Sequence, residues 1–199
     1  AVLGYTQSLD GDITDKATEN YDFWMLKFDS EAQLEWNKTY GGSGDERGRS
    51  LIETSDGGYA LLGYSDSSDG DVSSNNGNRD FWLVKINASG VLSWQKSFGY
   101  EGEDEGVSII ETSDNHLMLS GVLDVTASGG EGNQGRFSTR HAGGDYWSIK
   151  ITPTGDIVWS RFYGGSFTDS PKGISETLIG GFINVGGSDS NDVDISNNK

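Results

Sequence analysis

The chain has 199 residues, with 31 acidic against 14 basic side chains, a formal net charge of −17, 30 glycines and no cysteine. That balance excludes a disulfide scaffold and a zinc–thiolate site, and argues against nucleic acid or anionic membrane surfaces, which reward basic patches. No apolar run approaches the roughly 20 residues of a spanning helix. The opening AVLGYTQS has no basic stretch before an apolar one, so an export signal is expected to have been removed or to lie outside these residues.

In chain order, the first unit opens inside a strand at Ala1–Tyr5, and a polar loop over 7–21 follows. The aromatic strand DFWMLKF comes next, with Trp24, Leu26 and Phe28 on one face by two-residue alternation. A strand carrying Trp36 completes the unit. The second unit begins with RSLIETS (49–55), turns at Asp56-Gly57-Gly58 and continues as YALLGY. Gly after Asp supplies the positive φ that a tight hairpin turn needs. The long loop 66–79, the strand DFWLVKIN, a turn at 87–90 and the strand VLSWQKSF follow. The third unit repeats this plan from VSIIETS (107–113), with its long loop at 122–144, and a fourth starts at Phe182. No segment has an apolar 3.6-residue period, so essentially no helix is expected.

All six tryptophans fall into two columns: Trp24, Trp82 and Trp147, then Trp36, Trp94 and Trp159. The columns lie 12 residues apart within a unit, and the units step by 58 and then 65 residues. A four-stranded unit at this period predicts an all-β fold, a β-propeller of four-stranded antiparallel blades. Four blades need about 232 residues at this period. A single, partial propeller domain over 1–199 is therefore expected, of about 3.3 repeats. Its repeats run over 1–58, 59–116, 117–181 and 182–199 (incomplete), and the thirteen strands fall into blades of three, four, four and two.

The unit resembles tandem repeats of large secreted or surface β-propeller proteins of Bacteroidetes, many of which end in a type IX secretion sorting domain. The matching elements are Asp56-Gly57-Gly58-Tyr59, Asp69-Gly70-Asp71, Asp80-Phe81-Trp82, Lys85, Gly90, Trp94 and Gly41-Gly42-Ser43. The resemblance covers essentially the whole chain, and the third repeat departs from it. It implies an extracellular or outer-surface propeller, part of a larger multidomain chain.

In such a blade the long loops share one face of the disc with the crossovers that lead to the next blade. The sharpest candidate there is Asp10-Gly11-Asp12, repeated as Asp69-Gly70-Asp71 and echoed as Asp192-Val193-Asp194. Ca2+ takes six to eight oxygens from flexible loops of this composition, with Asp66 as a further donor, so Ca2+ is the candidate cofactor. The competing reading is a solvated acidic turn, with Asp-Gly chosen for turn geometry. Asp22, Asp80 and Asp145 stand before each aromatic strand and are expected to accept backbone N–H bonds. Lys27, Lys85 and Lys150 are expected to pair with a strand-start Asp of a neighbouring blade. Arg136, Arg140 and His141 form the one basic cluster, a candidate recognition element for an anion or acidic glycan.

No Ser–His–Asp spacing is visible, and the carboxylates recur by repeat, as scaffold residues do. The expectation is a non-catalytic binding or adhesion module with a glycan or protein ligand, no nucleic-acid partner and no membrane insertion. The alternatives are a propeller-fold carbohydrate-active enzyme and a structural spacer.

Overall fold

The computed structural model describes residues 1–125 and 143–194. Within them thirteen strands form four antiparallel sheets. The first sheet holds β1 (Val2–Thr6), β2 (Asp22–Phe28) and β3 (Leu34–Tyr40), in that order. The second holds β4 (Glu46–Glu53), β5 (Tyr59–Ser65), β6 (Asp80–Ile86) and β7 (Leu92–Phe98). The third holds β8 (Glu105–Glu111), β9 (Leu117–Asp124), β10 (Gly144–Ile151) and β11 (Ile157–Tyr163). The fourth holds β12 (Asp169–Glu176) and β13 (Phe182–Ser188). Every sheet is a simple meander of sequential neighbours, as a propeller blade is. The count of three, four, four and two matches the repeat reading. Among the described residues no helix is long and apolar enough to cross a membrane.

The blades pack face to face through the alternation seen in the aromatic strands. Phe23 and Met25 of β2 join Trp82, Val84 and Ile86 of β6 in one apolar cluster. On the other side of β6, Phe81 and Leu83 join Trp147, Ile149 and Ile151 of β10 in a second. The contact recurs: Phe23 meets Trp82 at 4.7 Å between ring centroids, and Phe81 meets Trp147 at 4.9 Å. In β6 the Phe81-Trp82 pair therefore gives one ring to each neighbouring blade. The indole N–H keeps a polar partner on the adjacent strand in all three repeats: Asn37, Gln95 and Ser160.

The lysines confirm a structural role with a different partner from the expected one. Lys85 pairs at 2.9 Å with Asp56, in the hairpin turn of its own blade. Lys150 does the same with Asp114 at 2.8 Å, and Lys27 reaches Glu35 at 2.7 Å. The strand-start aspartates are out of the running because they lie at the opposite end of the strand. Each lysine also marks a break in register, between Lys27 and Phe28, Lys85 and Ile86, and Lys150 and Ile151.

Candidate functional site

The acidic motif lies where one blade hands the chain to the next. The crossover from β3 to β4, Gly41-Gly42-Ser43-Gly44-Asp45, presents five successive backbone N–H groups, and each donates to a side-chain oxygen. Gly41 donates to Asp71 Oδ2 at 3.2 Å, and Gly42 to Glu46 Oε2 at 2.8 Å. Ser43 donates to Asp69 Oδ1 at 2.7 Å, Gly44 to Ser67 Oγ at 2.7 Å and Asp45 to Asp66 Oδ1 at 2.5 Å. In return the Asp71 N–H donates to the Gly41 carbonyl at 2.9 Å. Gly70 sits at φ +63° and within 2.5 Å of the Gly41 oxygen where a Cβ would stand. Glycine is thus required there by both backbone and space.

The same staple closes the last junction. Ser166 N–H donates to Asp192 Oδ1 at 3.0 Å, Phe167 N–H to Ser190 Oγ at 3.0 Å and Gly165 N–H to Asp169 Oδ2 at 2.9 Å. The Asp194 N–H returns to the Gly164 carbonyl at 3.1 Å. Val193 holds the position of Gly70, also at positive φ.

These contacts give Asp66, Asp69, Asp71 and Asp192 backbone partners across the junctions. Each carboxylate accepts from a different amide through one oxygen, so these residues have a structural role whether or not a cation binds beside them. Among the described residues no three His, Asp or Glu side chains are grouped to hold a metal ion. The Asp10–Asp12 loop has the same internal form, with Gly11 at φ +67° and the Ile13 N–H donating to the Asp10 carbonyl at 3.2 Å. Asp10 and Asp12 are exposed. The basic cluster Arg136, Arg140 and His141 lies outside the described residues.

Beneath the staple sits a pair of buried acids at each junction. Asp22 meets Glu46, Asp80 meets Asp104 and Asp145 meets Asp169, each pair around one glycine. A Cβ on Gly99 would stand 2.1 Å from Asp80 Oδ1 and 3.0 Å from Asp104 Oδ2. On Gly164 it would stand 2.4 Å from Asp145 Oδ1 and 2.6 Å from Asp169 Oδ2, and on Gly41 it would meet Glu46 and Asp22. Asp80, Asp104, Asp145 and Asp169 are fully buried. Asp80 accepts the Asn76 N–H at 2.9 Å, as expected of a strand-start aspartate. Asp104 accepts the Tyr100 and Asp124 N–H groups at 2.8 and 2.7 Å.

Burial pushes Asp80 and Asp104 up to about 6 each, against the pull of those amide bonds. Burial, then the charges of Asp169 and Asp194, push Asp145 up to about 8. At the first junction burial also raises Asp22, offset by Lys16, whose Nζ lies 2.6 Å from Asp22 Oδ1. Burial raises Glu46 too, opposed by the Ser65 and Ser67 hydroxyls, each 2.6 Å away.

Between the first two blades the loops line an open, shallow cavity of about 320 Å3. Its wall includes Asp15, Lys16, Thr18, Asp22, Ser43 and Asp71. The Asp15 carboxylate is fixed by the Thr39 N–H and hydroxyl at 3.1 and 2.9 Å. The Lys16 side chain is fully covered, so the rim is negative.

Sequence reasoning overlooked Ser67 and Ser190, which serve the staple beside the aspartates. The signal was present, since a serine precedes each motif by two residues at Ser8, Ser67 and Ser190. It also missed that an acid follows the first crossover glycine by five residues: Gly41 and Glu46, Gly99 and Asp104, Gly164 and Asp169. Compared with known proteins, the chain matches no family model and no curated sequence.

Proposed function

We propose that the protein is a non-catalytic binding module of the cell surface or extracellular space, presenting its long-loop face to a glycan or protein ligand. The observation that carries this reading is the acid-rimmed cavity between the first two blades, of about 320 Å3. Carboxylates already fixed by backbone and threonine donors are pre-positioned acceptors for sugar hydroxyls or for a cationic side chain. The scaffold around them is rigid because amide bonds and apolar faces hold successive blades together.

The buried acid pairs favour binding over catalysis. A glycosidase needs two carboxylates that flank a substrate bond. Here the pairs recur at three junctions, and Asp80 and Asp104 are both fully covered, which suits a scaffold. On this reading the Asp-Gly-Asp motifs hold amides rather than Ca2+.

A glycan array, with a parallel panel of lysine- and arginine-bearing peptides, tests the proposal. Saturable binding that Asp15→Ala weakens at least tenfold supports it. No ligand on either panel, or binding indifferent to Asp15→Ala, overturns it.

A further inference from the structure

We propose that the buried carboxylate pair at the second blade junction, Asp80 with Asp104, holds a monovalent cation of ammonium size, such as K+. The observation is a comparison between two junctions of the same chain. At the first, Asp22 Oδ1 takes the Lys16 ammonium at 2.6 Å, and the Lys16 side chain is fully covered. At the second, Asp80 is fully buried, and among the described residues no group donates to its Oδ1.

The two oxygens correspond. A Cβ on Gly41 would stand 2.9 Å from Asp22 Oδ1 and 2.5 Å from Glu46 Oε2. On Gly99 it would stand 2.1 Å from Asp80 Oδ1 and 3.0 Å from Asp104 Oδ2. The second acid of each pair matches as well: Glu46 Oε2 accepts the Gly42 N–H at 2.8 Å, and Asp104 Oδ2 accepts the Tyr100 N–H at 2.8 Å. The remaining oxygens of the second pair are fixed by amides, Asp80 Oδ2 by Asn76 at 2.9 Å and Asp104 Oδ1 by Asp124 at 2.7 Å. Asp80 Oδ1 is thus held in place, beside Asp104 Oδ2, with no donor of its own.

No lysine serves the second junction. Lys16 stands six residues before Asp22, whereas Ser74 stands six before Asp80, and residues 72–78 contain no basic side chain. Arg79 precedes Asp80 but reaches Glu105 at 3.1 Å and Glu103 at 3.7 Å instead. A buried carboxylate oxygen without a donor is costly and calls for a positive partner. Two carboxylates fall short of the six to eight oxygens of a Ca2+ site. A singly charged ion supplies what the Lys16 ammonium supplies to Asp22. This site is separate from the Asp-Gly-Asp motifs, whose carboxylates accept crossover amides.

The test is thermal melting of the 199-residue chain at pH 8, in KCl and in choline chloride of equal ionic strength. Choline is too large to enter the junction. K+ at tenfold excess over its dissociation constant should raise the midpoint by about 4 °C. Asp80→Asn still accepts the Asn76 N–H but carries no charge, and should lose most of that rise. Crystals grown in RbCl give the direct readout: an anomalous peak in contact with Asp80 Oδ1 and Asp104 Oδ2, and none beside Asp22, where the lysine stands. No peak at the Asp80–Asp104 pair overturns the proposal. So does a parent with one midpoint in both salts, and so does an Asp80→Asn variant that keeps the full rise.

Discussion

Asp69 Oδ1 lies 2.7 Å from the backbone nitrogen of Ser43 and accepts its hydrogen bond, tying the long loop of the second blade to the crossover that leaves the first. The residues are 26 apart in sequence, and Ser166 and Asp192 repeat the relation across the same interval. The carboxylates of an acidic motif on a chain of net charge −17 are thereby stabilised by amide donors.

Asp69→Ala should destabilise the protein by about 1–2 kcal/mol, the range for a charge-assisted bond at a partly solvated site. Asp69→Asn keeps one acceptor oxygen and should cost less. Urea unfolding of both variants checks the order. Equal midpoints for Asp69→Ala and the parent contradict the staple.

Gly99→Ala forces a Cβ to 2.1 Å from Asp80 Oδ1 and 3.0 Å from Asp104 Oδ2, both in a packed interior. It should cost about 3 kcal/mol or more, since neither carboxylate has room to move. Gly57→Ala is the contrast: its φ is +80° but nothing lies within 4 Å of the new Cβ, so backbone strain of about 1 kcal/mol is the whole effect. Denaturant midpoints should rank the variants in that order.

The buried acids give stability a definite pH slope. Asp80 and Asp104 hold protons up to about 6, and Asp145 up to about 8, whereas the unfolded groups release theirs near 3.8. The folded state therefore binds more protons between about pH 4 and pH 8. Stability is full below the unfolded value and falls as pH rises through the folded ones. The melting temperature should drop from pH 4.5 to pH 8. Asp80→Asn, neutral at every pH and still an acceptor for Asn76, should flatten the lower part of that fall and melt above the parent at pH 8. A parent that melts higher at pH 8 than at pH 4.5 contradicts the assignment.

Much of the fold was legible because a blade writes its period into the chain. The two tryptophan columns and the Asp-Gly turns gave the strand count of every sheet. The partner of Lys85 was not legible: sequence shows that a mid-strand lysine needs an anion, but strand length and register decide that Asp56 is within reach. The role of Asp69 and Asp71 was half legible. Two carboxylates flanking a glycine suit a cation loop and an amide staple equally well. What separates them is the donor set across the junction, and Gly41-Gly42-Ser43 looks like an ordinary loop until β5 brings it beside residues 66–71. The pairing of Asp80 with Asp104 was hidden likewise, because the two belong to different blades.

Thermal melting of the parent and of Asp69→Ala, each in millimolar Ca2+ and in excess chelator, tests the central claim most directly. A ligand that binds only the folded state must raise its stability. If the acidic motifs hold the chain's own amides, the parent melts at one temperature in both solutions and Asp69→Ala melts lower by the same amount in each. A rise with Ca2+ in the parent that disappears in Asp69→Ala would contradict the account.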